Sequence, residues 1–406
     1  MRVLKEIVIG AQMLFVAFGA LVLVPLLTGL SPAVALLSAG IGTLIFQFLT
    51  GRQVPIFLGS SFAFIAPIIA AQQQWGLAAT QGAILSVSLV YFAFALAIYF
   101  LGTGFIHRLF PPVVIAPVIM VIGLSLAPSA TNMAMGLSGD GSQVLFSKTN
   151  ALCVASTALL ATIIVALYCK GLSKLLAILA GIGSGYLLSF FLGMTDFTPV
   201  NAAAWFSLPP ITKPSFNLEA IIFMLPVALA PAIEHIGDVA VIAQICEKPF
   251  ITKPGLHKTM AGDGIAVAIA GCLGGPPVTT YSEVTGAVSI TGAKNAQIMI
   301  YAALTAIVLA FSGKLAALLS SMPTPIMGGI MLLLFGSIAA MGARTLLDKD
   351  ADICNERSVV IIALTLVVGL GTLSVEIGFV KLQGIGLAAI VAILLNLLLP
   401  KLSQQS

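Results

Sequence analysis

From Ile7 to Gly51, and again from Ala78 to Ile106, the chain runs without one charged side chain. Uncharged apolar runs of roughly eighteen residues or more are what a hydrocarbon bilayer core asks of a helix, and no water-soluble core needs them. The composition carries the same pattern throughout: 59% of the 406 residues are hydrophobic and 8% are charged. The expected fold class is an all-α polytopic membrane protein, with the lipid bilayer as its first partner. The opening run has no small-residue cleavage site and continues through AFGALVLVPLL, which reads as a retained helix. The five cysteines, at 153, 169, 246, 272 and 354, are odd in number and show no CxxC spacing. No disulfide framework, metal site or cofactor is expected.

Charges and turn residues divide the chain into fourteen candidate transmembrane segments. In the first half they are 7–28, 32–50, 55–72, 78–101, 110–128, 150–169 and 173–194. The second half supplies 218–245, 258–275, 277–292, 295–312, 318–341, 357–372 and 383–400. At about 20 residues per span, these leave only short connections and no room for a soluble domain. With both termini cytoplasmic, all of the 18 basic residues except Lys148, Lys213, Lys314 and Lys381 fall on the inner side, Lys349 and Lys401 among them. That is the positive-inside pattern. The net charge of +4 reflects this bias and implies no nucleic-acid partner.

Two weak internal similarities recur about half a chain apart. PVVIAPVIMVIGLSLA from Pro112 and PIMGGIMLLLFGSIAA from Pro325 share their Pro, a Gly (Gly123, Gly336) and an Ala (Ala127, Ala340) at equal spacing. FGALVLV from Phe18 matches IGDVAVI from Ile236 in pattern, which sets Ala20 opposite Asp238. Two inverted repeats of seven spans are expected, a common transporter design. VPIFLGSSFAFIAP (54–67) and GGPPVTTYSEVTGAVSITG (274–292) are too interrupted for ordinary membrane helices and hold corresponding places in the two halves. Irregular backbone at membrane depth lines a cavity or lies buried in protein, and the N-terminus of a half-helix offers unpaired N–H groups to a ligand oxygen.

Of the 14 carboxylates, four fall inside spans: Glu234, Asp238, Asp263 and Glu283. An ionisable group at mid-membrane costs at least about 2.5 kcal/mol, so each is a functional candidate. Glu234 and Asp238 are one turn apart on one helix face. Asp263, in AGDG, is placed near a helix start and divides evenly between a capping and a functional role. His235 points about 100° away from Glu234 and is expected to pack structurally. Phe62 and Tyr281 could stack on a planar ring.

FGALVLVP, GSSFAFIAP, DFTPVNAAAWFSLP, PGLHKTMAGDG and TTYSEVTGAVSIT together resemble the nucleobase-ascorbate transporter family over nearly the whole chain. The last stretch is similar to the family signature, represented here by Glu283, Gly286 and Thr291. The resemblance implies a core domain (1–105 and 218–312) and a gate domain (106–217 and 313–406), with short strands opening segments 3 and 10. It implies that Glu234 and Glu283 bind substrate, that Phe62 and Ser282 offer backbone N–H groups, and that Ala20 and Tyr281 line the site. Asp238 falls at the family's proton-coupling position, with Glu283 and Glu234 as further proton carriers. Ser282 stands where the family has glycine, a minor change if only the backbone makes contact. EVT replaces the usual ENI, while Glu at 283 is similar to the uracil branch.

The implied function is proton-coupled uptake of uracil by alternating access across the cytoplasmic membrane. Xanthine, uric acid or a broader nucleobase range, and sodium as the driving ion, stand as alternatives; a homodimer is left open. The physical logic is consistent: carboxylates accept from ring N–H groups while backbone amides donate to ring carbonyls. An intramembrane aspartyl protease would need Tyr-Asp and Gly-x-Gly-Asp, which the chain lacks. An anion transporter of the same fold would avoid two buried acids.

Overall fold

Inside a bilayer every backbone amide must find its partner within its own segment or a closed sheet, so long apolar runs wind into helices. The computed structural model describes residues 2–347, 353, 355–377 and 380–400. Lys349, Cys354 and Lys401, named in the sequence reading, lie outside the described residues. The structure is mostly helical. Among the described residues, seven helices are long and apolar enough to cross a membrane, and Ala177–Phe191, Ala296–Ala310 and Gly384–Leu398 are shorter apolar helices.

Helix α1 (Arg2–Thr28) is followed by α2 (Pro32–Leu49), whose Pro32 sits in the first turn, where its missing N–H costs nothing. Strand β1 (Leu58–Ser60) then leads through a short turn into α3 (Ile65–Leu101). The expected segments 55–72 and 78–101 are redrawn as two helices that meet at a kink within α3, at Gly76, whose φ of 80° and ψ of 170° suit glycine. Segment 318–341 is likewise redrawn as Gly313–Ser320 followed by Thr324–Thr345. Between Glu356–Leu370 and Gly384–Leu398 the chain forms an antiparallel pair, β3 (Ser374–Ile377) with β4 (Val380–Gln383), that the sequence reading did not foresee.

The helices pack in two neighbourhoods. Leu256–Leu273 lies against α2 and α3, and Ala296–Ala310 lies against α1 and α2. Thr324–Thr345 packs on Pro112–Ser125 and on Lys148–Tyr168, while Glu356–Leu370 packs on Gly384–Leu398 and Pro112–Ser125. Contact between membrane helices depends on close backbone approach. A Cβ on Gly123 would come 2.4 Å from the Phe335 carbonyl oxygen, and one on Gly271 would come 2.6 Å from the Leu85 nitrogen. Leu89, Phe92, Leu96 and Phe100 form an exposed stripe along α3 at three- and four-residue spacing, a lipid-facing surface. In the connection after residue 134, Ser138 and Ser142 hydrogen-bond the Asp140 carboxylate and hold its pKa down at about 2.

Candidate functional site

The two interrupted segments meet. β1 pairs antiparallel with β2 (Val278–Thr280), Leu58 opposite Thr280 and Ser60 opposite Val278, and the Ser61 amide donates to the Pro277 carbonyl at 3.0 Å. All six strand residues are buried. Each strand therefore satisfies the other's backbone in a place where water cannot. Side chains of α2 peg the approach to β1: Gln47 Nε2 donates to the carbonyls of Val54 (2.9 Å) and Ile56 (2.8 Å), and Thr43 Oγ1 accepts from the Leu58 amide (3.0 Å). Beyond the strands, the Phe62–Phe64 turn and the Ser282–Thr291 helix begin, their first amides free of helical partners.

A cavity of about 90 Å³ opens at these two helix starts. Glu234, Glu283, Phe62, Tyr281 and Ser282, all named in the sequence reading, line it together with Ser60, Ser61 and Thr280. The far wall comes from Ile119 and Ile122 and from Ile338 and Met341. Phe62 and Tyr281 face one another with ring centroids 6.3 Å apart, and Phe62 meets Phe335 edge-on at 5.8 Å. Ala20 is fully buried and is not among the lining residues; neither is Asp238, which is 6% exposed.

Two polar arrangements escaped the sequence reading. In the first, the Asp263 Oδ2 atom accepts from the Thr280 amide at 2.9 Å and from His235 Nδ1 at 2.9 Å, and His235 Nε2 lies 2.9 Å from Thr259 Oγ1. Asp263, His235 and Thr259 are all completely buried. The expected position of Asp263 near a helix start is corrected: it lies in the interior of Leu256–Leu273, where it cannot cap and instead fastens β2. His235 turns away from the cavity into this network. The available signal was the four-residue spacing of Thr259 and Asp263, which puts both on one helix face.

The second concerns Ser282. Its Oγ atom stands 3.0 Å from Glu234 Oε1 and 2.7 Å from Asp238 Oδ1. The serine hydroxyl thus adds to the backbone amide expected here a contact that bridges both acids of the Leu229–Cys246 helix. Among the described residues no group of three or more His, Cys, Asp or Glu side chains is arranged to hold a metal ion.

The arrangement offers acceptors from carboxylates and donors from backbone amides in a small apolar cavity, and comparison with known proteins gives it a family context. Residues 4–378 match the model of a family described as the permease family. The chain is 52% identical to a probable uracil permease of Haemophilus influenzae over 398 residues, covering 98% of this chain and 95% of the relative. It is 42% identical to the uracil permease of Bacillus subtilis over 402 residues, covering 97% and 92% respectively. In fold it is similar to the transmembrane domain of a cyanobacterium bicarbonate transporter, BicA, with a TM-score of 0.69, 17% identity and 98% of each chain covered. That likeness concerns architecture alone. The chain thus belongs to the permease family of nucleobase-ascorbate transporters: it is a multi-pass cell-membrane protein, and a transporter rather than an enzyme.

Proposed function

We propose that this transporter is a uracil:proton symporter that works by alternating access. The observation that carries the reading is the convergence of Glu234 and Glu283 on one small cavity at the starts of two half-helices. Uracil presents acceptor, donor and acceptor along one edge and a second donor at N1. Two carboxylates meet its N–H groups, and the amides at Phe62 and Ser282 meet its carbonyls, while Phe62 and Tyr281 flank the ring. Unpaired polar groups in such a site would reject the wrong ring strongly. The relatives in Haemophilus influenzae and Bacillus subtilis, described as uracil permeases, support the same substrate.

Fourteen spans in two inverted repeats, with both termini cytoplasmic, form the frame of this proposal. Residues 1–105 and 218–312 act as the core and residues 106–217 and 313–406 as the gate, a division supported by the two packing neighbourhoods. The cavity lies where they face each other: Ile119, Ile122, Ile338 and Met341 would come from the gate and the acids from the core. Rocking of one against the other would expose the site to each side in turn. Asp238 is the proposed proton carrier, one turn from Glu234 and outside the cavity lining.

Uptake of radiolabelled uracil into cells with and without the protein tests the reading. Unlabelled uracil should abolish uptake, and excess xanthine or bicarbonate should compete poorly. Equal competition by xanthine would move the substrate to purines, and competition by bicarbonate would overturn nucleobase transport.

A further inference from the structure

The bridge between the two acids poses a problem of proton arithmetic. A hydroxyl carries one hydrogen, whereas Ser282 Oγ makes short contacts with two carboxyl oxygens, at 3.0 Å to Glu234 and 2.7 Å to Asp238. If both acids were ionised, one of those contacts would place oxygen against oxygen with no hydrogen between them. Both contacts become hydrogen bonds when one carboxyl is protonated and donates to Oγ while the serine donates to the other. The triad is thus complete with one proton shared between two acids.

We propose that the Ser282 hydroxyl relays this proton between Glu234 in the substrate cavity and Asp238 behind it. The inference rests on the symport reading above and deepens it. In the step, the Glu234 carboxyl gives its proton to Oγ as the serine gives its own to Asp238. One O–H bond breaks at Glu234 and one forms at Oγ; one breaks at Oγ and one forms at Asp238. Serine ends neutral, and the net change is the transfer of one proton. Its direction follows from the substrate. A ring N–H bonds more strongly to an ionised acceptor than to a neutral one, so uracil binding favours the carboxylate at Glu234 and drives the proton to Asp238, where it travels without occupying the site.

Other titratable groups surround the pair. Glu283 approaches from the Ser282–Thr291 helix, and Asp263 from Leu256–Leu273 with His235 as its own partner. Tyr91 of α3 and Tyr281 add phenols. The Pro112–Ser125 and Gly384–Leu398 helices, also packed on Leu229–Cys246, carry no titratable side chain, and Lys253 lies in the turn beyond the helix's end. The serine is the one group hydrogen-bonded to both acids among the described residues.

The test uses purified protein in proteoliposomes, comparing wild type with Ser282→Ala, Ser282→Thr, Asp238→Asn and the Ser282→Ala/Asp238→Asn double variant. Ser282→Ala keeps the backbone amide but releases the Glu234 carboxylate, so uracil binding is measured in parallel and uptake is read at saturating uracil; uptake driven by an imposed proton gradient should then fall at least about tenfold, the lower range for losing a proton-transfer group. Ser282→Thr should restore it, and the double variant should be no worse than Asp238→Asn, because the relay would then lead nowhere. The pH dependence of uracil affinity should flatten in Ser282→Ala. Should that variant fail to fold, Ser282→Gly asks the same question. Wild-type accumulation and pH profile in Ser282→Ala would overturn the relay. Equal defects in Ala and Thr variants would overturn it in favour of packing, and loss of uracil binding would reassign the hydroxyl to the substrate. Wild-type uptake indifferent to the proton gradient would instead overturn the symport reading beneath it.

Discussion

At the scale of single residues, Glu234 and Glu283 carry the proposal in different ways. Glu234 lines the cavity and is held from behind by Ser282, so its carboxylate is oriented before any ligand arrives. Glu234→Gln turns part of that acceptor surface into an N–H₂ donor facing a ring N–H. The expected loss is about 2–3 kcal/mol, roughly 30- to 150-fold in Kd, measured by binding of radiolabelled uracil to the purified protein. Glu283→Gln should weaken binding less, provided that a neutral acid at this position suffices to orient the ring. Unchanged affinity in Glu234→Gln would remove that side chain from the binding role. Glu234 was legible in the sequence as an acid in an apolar helix, but its partner was not. Ser282 is distant in sequence and is an ordinary residue type; only the pairing of β1 with β2 brings its hydroxyl to the acids.

Among elements, the strand pair depends on Asp263. That carboxylate joins the Thr280 amide to His235 and so couples β2 to the Leu229–Cys246 and Leu256–Leu273 helices at one point. Asp263→Ala would leave the buried Thr280 amide without its partner and His235 Nδ1 with only the Thr280 hydroxyl at 3.3 Å, at a cost of roughly 2–5 kcal/mol. The expected result is a lower Tm in detergent and no further stabilisation by uracil, because β2 no longer holds the Ser282–Thr291 helix in place. Thr259→Val, which removes one hydroxyl from His235, should cost only about 1 kcal/mol and keep uracil binding. A thermal-shift assay on both variants checks the order. An unchanged Tm in Asp263→Ala would show that the network does not hold the strand.

For the whole molecule, the proposed uracil transport raises the question of what would drive a neutral substrate uphill. Uracil carries no charge near pH 7, so the membrane potential concentrates it only through a co-transported ion. One proton moved through 100 mV yields about 2.3 kcal/mol, enough for roughly 50-fold accumulation at 1.4 kcal/mol per tenfold. Asp238→Asn should retain uracil binding and counterflow exchange while losing accumulation under a proton gradient, read as uptake into proteoliposomes with and without a protonophore. Full concentrative uptake by this variant would move the carrier role to Glu283 or Glu234. Wild-type accumulation that ignores the protonophore and requires sodium would replace the coupling ion.

The membrane setting and the positions of the interrupted segments were open to reading from residues alone, because the bilayer imposes a local rule: apolar runs must be helices, and Pro, Gly, Ser and Thr clusters within them must be sheltered. The four acids inside spans stood out for the same reason, since each opposes the composition around it. Contacts across long sequence distances were left to the tertiary structure. Whether an acid lines the cavity (Glu234), lies behind it (Asp238) or anchors a strand (Asp263) depends on which helices pack together, and no local pattern specifies that. Local chemistry chose the residues, while packing, through distances of 2.7–3.0 Å between groups more than forty positions apart, assigned them their work.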